Sequence, residues 1–155
     1  MTYKIQYDLP GLPKGLNGSH GHHYAAAAIR KKWRKMSASG ALGVGVPKEP
    51  LARCRIVCTR FSSSEMDYDN LVSSFKPIVD GLKDAGVILD DKSSVIVERS
   101  YRWEKVPAKS GHVRIAVEAM ELESNLRPLA GSLMDENKKN DTRQGSDEDF
   151  APKPF

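Results

Sequence analysis

One set of acidic residues, with a lysine among them, has residue types and spacing that could do chemistry. The set begins with Asp67-Tyr68-Asp69-Asn70 and continues about twenty residues later with Asp90-Asp91. Carboxylate oxygens are the ligands that Mg²⁺ prefers in proteins, so folding could gather these groups into a cation site. Lys76 lies between the two acidic segments and could direct its positive charge at a phosphate. The set therefore predicts metal-dependent cleavage of a phosphodiester bond.

Each acidic segment also has an ordinary structural interpretation. The 67–70 segment could cap a helix, and Asp90-Asp91 could form a turn. An EF-hand is excluded, because its sixth and twelfth positions would fall on Val72 and Ile78 instead of glycine and a carboxylate. The occurrence of both segments in this order favours metal chemistry over capping and turn formation.

Lys76 has two interpretations that the sequence leaves open. It stands four residues before Asp80, so on a helix the two could form a surface salt bridge worth under about 0.5 kcal/mol. Alternatively, Lys76 points into the metal site and steadies the charge that develops on phosphorus.

The charge of the chain is unevenly distributed. The 155 residues contain 24 basic and 20 acidic side chains, of which residues 121–155 hold 5 and 8, so residues 1–120 carry a net charge of +7. A basic body around an acidic site is what cleavage of a nucleic acid requires, because the surface attracts phosphates. An ordinary basic protein would have the same composition.

The basic helix segment could contact DNA phosphates through Arg30, Lys31, Arg34 and Lys35, or it could be a solvated face.

The elements that must position these residues follow from the apolar spacing and the Gly and Pro residues. Period-2 and period-3.6 patterns predict four strands and two helices in the order strand, helix, strand, helix, strand, strand. The predicted strands cover 3–8, 51–61, 93–103 and 112–120, and the predicted helices 24–36 and 70–85. The helix from 24 should bury a stripe through Ala25, Ile29, Trp33 and Met36, and the Gly- and Pro-rich segment 40–50 should be a connection. The helix over 70–85 should start or kink near Pro77, end at Gly86 and bury an inward stripe through Leu71, Phe75, Ile78, Leu82 and Ala85. The segment 104–111 should join the last two strands as a hairpin. This predicts an α+β domain, a small mixed sheet with two helices packed on it.

The two ends of the chain, the cysteines and the histidines allow further predictions. Residues 1–121 should form the domain, whereas 122–155 are polar and predicted to be disordered. No apolar run reaches membrane-spanning length and the first residues lack a signal peptide, so we expect a cytoplasmic protein. Cys54 and Cys58 would lie on one face of a strand about 13 Å apart, too far for a disulfide. His20, His22 and His23 fall in a Gly-rich segment, interpreted as a loop.

The motifs together resemble the RusA family of Holliday junction resolvases. The resemblance rests on Asp67-x-Asp69-Asn70-Leu71, Lys76-x-x-x-Asp80-Gly81-Leu82, Ala85-Gly86 and Leu89-Asp90-Asp91. It is strongest over residues 65–103, continues loosely to the N-terminal strand and the Pro13–Asn17 loop, and does not cover the C-terminal segment. In some members the lysine follows the asparagine by three residues; here the gap is six, which moves it about 4.5 Å along a helix.

The resemblance implies a RusA-like fold, a homodimer and a DNA substrate. Such enzymes bind four-way DNA junctions and nick two strands symmetrically with Mg²⁺, or Mn²⁺ in its place, during recombination and repair. By motif position, Asp67, Asp69 and Asp91 would hold the metal, Asp90 would contribute to it, and Lys76 would be the functional lysine. Many members are phage or prophage proteins, so a mobile-element origin is expected.

Two other classes of function fit the sequence less fully. A branched-DNA-binding accessory protein would share the basic surface but show no Mg²⁺-dependent nicking. A metal-binding or scaffold protein that does not act on nucleic acid would fail to bind junctions tightly at moderate salt.

Overall fold

A computed structural model of the chain describes residues 2–15 and 23–121. The predicted disordered segment 122–155, together with His20 and His22, lies outside these residues. The described part contains four strands and three helices, in the order β1 Lys4–Pro10, α1 His23–Val44, β2 Cys54–Ser62, α2 Tyr68–Ser74, α3 Lys76–Asp84, β3 Ile96–Lys105 and β4 His112–Ala119. The α+β prediction is confirmed. None of the helices in this part is both long and apolar enough to cross a membrane.

The sheet is mixed, with the strand order β1-β4-β2-β3. β2 pairs with β3 in parallel, whereas β4 runs antiparallel to both β1 and β2. The predicted hairpin between β3 and β4 is therefore wrong, because the chain crosses to the far side of β2 after a short 3-10 turn at Ala108–Ser110. The central position agrees with burial, since Val113, Ile115 and Val117 of β4 are 0% exposed, whereas the inward residues of the edge strand β1 keep 4–7% exposure.

α1 differs most from the prediction. It continues eight residues beyond Met36, to Val44, because Ala41 is fully buried against the core. Trp33 of the predicted apolar stripe is buried, but Ile29 is 41% exposed, and Tyr24, the predicted first residue, is 92% exposed. The stripe thus packs only in the second half of the helix, and the first half is exposed. His23 is the first residue of α1 and not part of a loop.

The predicted helix over 70–85 is divided at Phe75 into α2 and α3. Pro77 stands in the first turn of α3, where a missing backbone N–H costs no helical hydrogen bond. The inward stripe is confirmed, since Phe75, Ile78 and Leu82 are fully buried. Gly86 follows α3 with a φ of 75°, the left-handed conformation expected of a glycine at a helix end.

Both cysteines are buried in β2 and neither forms a disulfide, as predicted. Burial raises the pKa of the Cys54 thiol to about 11 and that of Cys58 to about 12. Neither thiol is ionised at neutral pH, so both behave as small apolar side chains.

A close contact between α1 and α3 positions the lysine of the acidic motif. Gly81 faces Ser37, and a Cβ added at Gly81 would lie 2.7 Å from the Ser37 Cβ. The Ser37 hydroxyl donates a 2.7 Å hydrogen bond to the Ile78 carbonyl and lies 2.8 Å from the Tyr7 hydroxyl. These contacts set α3, which begins at Lys76, against α1 and the sheet.

The contact gives a stability prediction. We expect Gly81→Ala to lower the free energy of unfolding by about 1–3 kcal/mol, because the added methyl group overpacks the α1–α3 interface. Gly43→Ala is the matched control, since a Cβ there meets nothing within 4 Å and alanine should stabilise a helix by about 0.5–1 kcal/mol. Urea unfolding monitored by circular dichroism measures both. Equal midpoints for the two variants would contradict this packing.

Candidate active site

α2 presents the first two predicted metal ligands. Asp67 occupies the N-cap position, and its carbonyl accepts a 2.9 Å hydrogen bond from the Leu71 N–H, but its side chain makes no capping hydrogen bond. Asp69 lies in the first turn. Both side chains are exposed, and within residues 2–15 and 23–121 neither carboxylate has a hydrogen-bond or ion-pair partner. Side-chain capping therefore does not account for Asp67.

Lys76 joins the two halves of the acidic motif. Its Nζ donates a 2.7 Å hydrogen bond to Asp80 Oδ1 and a second one to Asp91 Oδ2. The i,i+4 salt bridge with Asp80 is thus present, and Lys76 also contacts Asp91, whereas its role in a metal site stays a prediction. The lysine points toward a predicted metal ligand that lies fifteen residues further along the chain.

The contacts of Lys76 set the charge state of its neighbours. Partial burial alone would lower the pKa of Lys76, but the hydrogen bonds to Asp80 and Asp91 outweigh burial and raise it. The ammonium in turn lowers the pKa of Asp91. At neutral pH Lys76 is therefore a cation and Asp91 an anion, the charge state that a metal ligand requires.

Asp90 is held by several donors. Its Oδ1 accepts hydrogen bonds from Lys83 Nζ at 2.7 Å and from the Asp91 N–H at 2.9 Å, and its Oδ2 lies 3.1 Å from Lys92 Nζ. Lys83 and Lys92 keep the pKa of Asp90 well below its usual range. These contacts tie the loop to α3 and orient Asp91. A contribution of Asp90 to a metal site stays a prediction.

The donor chemistry of the predicted site suits Mg²⁺, since Asp67, Asp69 and Asp91 all offer carboxylate oxygen. Over the part of the chain that the structure describes, however, no three acidic, histidine or cysteine side chains form a group that could hold a metal ion. Asp91 is bonded to the Lys76 ammonium. The convergence of all three aspartates on one cation therefore stays a prediction.

Two neighbours of the motif carried no recognisable signal in the sequence. The Arg99 guanidinium donates to the Asp91 carbonyl and so supports the loop from β3. Gly15 lies against α2, because a Cβ added there would be 2.9 Å from Asn70 Cβ and Oδ1. The adjacent Pro13 carbonyl accepts a 2.6 Å hydrogen bond from Arg60 Nη1. The contacts of Arg99 and Gly15 depend on the tertiary fold, which spacing along the chain does not reveal.

A groove of about 540 Å³ lies between α1 and α3. It includes the four basic residues predicted to contact DNA, Arg30, Lys31, Arg34 and Lys35, and it extends to Lys76. Arg34 differs from the other three, because its guanidinium forms two hydrogen bonds with Asp84 of α3, one of them 2.6 Å long. The basic residues of α1 therefore face the helix that carries the lysine of the acidic motif.

Comparison with known proteins adds no family assignment. No protein-family model matches the chain, and no curated protein matches it.

Proposed function

We propose that this protein is a Mg²⁺-dependent, structure-specific endodeoxyribonuclease that resolves Holliday junctions by paired symmetric nicks, as the RusA-like motifs imply. The observation that carries the proposal is the contact between Lys76 and Asp91. A lysine bonded to a carboxylate of the motif is suitably placed to meet a phosphate that approaches that carboxylate.

The two aspartates of α2 support the same proposal. Asp67 and Asp69 are exposed and have no partner in the described ranges, so burial and pairing do not oppose their binding of a cation. Together with Asp91 they would hold the metal, with Asp90 as a further contributor. When bound, Mg²⁺ lowers the pKa of the attacking water and neutralises charge on the leaving oxygen.

Lys76 has a separate task in this proposal. Its ammonium would stabilise the negative charge that builds on the phosphoryl oxygens as the bond breaks. Asp80 would keep the ammonium in place, because its 2.7 Å contact with Lys76 does not involve Asp91. A four-way junction has two-fold symmetry, so paired nicks need two such sites, and a homodimer is part of the proposal.

A second candidate function is a branched-DNA-binding accessory protein without nuclease activity. It is favoured by the finding that the described residues include no assembled group of metal ligands, while a basic groove is present. Labelled four-way junctions incubated with the protein, with and without Mg²⁺, separate the two candidates. Nicks that require Mg²⁺ support the nuclease, whereas a stable complex with intact strands at all Mg²⁺ concentrations supports the accessory protein.

The shared cation site can be tested without activity. We expect Mn²⁺ to broaden the amide NMR signals of segments 67–70 and 90–92 over the same concentration range, because one paramagnetic ion would contact both. Asp91→Asn should then weaken the broadening at 67–70, although that segment is unchanged. Glu49→Gln, an exposed acid outside the motif, is the control. Broadening of only one segment, or of both independently, would contradict a common site.

A further inference from the structure

We propose that the groove between α1 and α3 binds the backbone of a single DNA strand and leads it to Lys76. The nature of the ligand rests on the proposed function, but binding in the groove can be measured separately from cleavage. Three basic residues of α1 contact phosphates in this proposal: Arg30, Lys31 and Lys35. The fourth, Arg34, instead joins the two sides of the groove.

The charges of the groove favour an anionic ligand. Its two acidic residues are paired, Asp84 with Arg34 and Asp80 with Lys76, which also bonds Asp91. Arg30, Lys31 and Lys35 are exposed and have no ion-pair partner among the residues described. Three uncompensated cations thus face a space whose carboxylates are occupied, so the groove attracts phosphate without internal competition.

The spacing of these cations fits a chain of phosphates. Lys31 and Lys35 are one helical turn apart, about 6 Å along the axis, which is of the order of the distance between successive phosphates in a strand. Ala27 and Pro77 supply apolar surface in the same groove, against which the sugars can pack. Contacts with phosphates carry no sequence information, so binding through them should be independent of sequence.

The size of the groove favours one strand over a duplex. α1 and α3 touch at Gly81, so the groove lies at the surface along their contact. It encloses about 540 Å³, which can hold a short stretch of one sugar-phosphate backbone but not a duplex. A single backbone can enter the groove. At the first residue of α3 it meets Lys76, which is bonded to Asp91. A strand in the groove is thereby brought to the predicted cleavage site.

The decisive variant removes the three unpaired cations together, as R30A/K31A/K35A in the full chain. Alanine is the best helix former, so α1 should persist. The matched control, K48A/K105A/K109A, removes the same charge from exposed lysines outside the groove, none of which has an ion-pair partner in the described part. Circular dichroism and urea midpoints establish that both variants fold.

Binding to a single-stranded oligonucleotide is measured without divalent cations, so cleavage plays no part. The logarithm of the association constant falls linearly with the logarithm of the salt concentration, and each phosphate contact adds about 0.7 to the steepness of that line. We therefore expect the line for R30A/K31A/K35A to be less steep than that of the parent by about 2. The control should keep the parent slope. Equal losses in the two variants, a parent-like slope for the groove variant, or no binding by the parent would overturn the inference. Groove-dependent binding without any Mg²⁺-dependent nicking would instead overturn the nuclease proposal alone.

Discussion

Asp69→Asn should reduce the rate of junction cleavage by at least about 100-fold while leaving junction binding intact. Asparagine has nearly the same shape but lacks the charge that attracts Mg²⁺, so transition-state stabilisation is lost. Asp69 is exposed and has no partner within residues 2–15 and 23–121, so the substitution should not affect folding. Binding should be equal or slightly tighter, because one negative charge near the phosphates disappears.

Single-turnover cleavage of a labelled four-way junction measures this effect. Glu65→Gln is the matched control, because Glu65 is an exposed acid just before the motif and should change the rate by no more than about twofold. A D69N variant that cleaves at the parent rate would remove Asp69 from the mechanism.

Lys76→Ala should lower the cleavage rate by about 100- to 1000-fold without weakening Mg²⁺ binding, because the variant loses a cation that occupies Asp91. The ammonium stabilises charge that exists only as the phosphodiester bond breaks, so its loss should appear in kcat more than in KM. Lys76→Arg should restore only part of the rate, because a planar guanidinium cannot reproduce both the 2.7 Å contact with Asp80 and the contact with Asp91.

Lys83→Ala provides the comparison for Lys76. Lys83 lies on the same helix and pairs with Asp90 at 2.7 Å, so its removal deletes a similar exposed ion pair two turns away. An exposed pair of this kind contributes little, so we expect the rate to change by no more than about fivefold. Equal losses of activity in K76A and K83A would indicate that Lys76 only supports the loop.

Local patterns in the sequence were sufficient for most elements. The inward stripe of α3, the break before Pro77 and the glycine that ends the helix each depend on neighbours within a few residues, and all three are observed. The end of α1 was missed because Gly40 was interpreted as a connection. In the structure Gly40 lies inside the helix, where a Cβ would be 2.7 Å from the Tyr7 ring.

Local patterns in the sequence could not predict the order of the strands in the sheet. Two adjacent strands with a Pro- and Gly-containing connection usually form a hairpin, yet β4 inserts between β1 and β2. The apolar alternation at Val113, Ile115 and Val117 shows that one face of β4 is buried, but the edge strand β1 has the same alternation. An edge strand can be distinguished from a central strand only by comparing the burial of all four strands, because the position of each strand depends on which other strands pair with it.

The candidate site was predictable in part for the same reason. The i,i+4 spacing predicted the salt bridge between Lys76 and Asp80, which the structure has, but it did not predict the second contact of Lys76, with Asp91. Helix spacing could not reveal that Asp84 holds Arg34, since the two residues lie fifty positions apart. Nor could it determine whether Asp67 and Asp69 approach Asp91, because a cation that neutralises their repulsion is itself part of that geometry.

The most direct test of the nuclease proposal is a Mg²⁺ titration of junction cleavage with the products mapped on all four strands. The account predicts that no strand is cut without the cation, and that with it two opposing strands are nicked at symmetric positions, leaving 5′-phosphates that can be religated. Intact strands at every Mg²⁺ concentration, or cuts that do not depend on the cation, would contradict it.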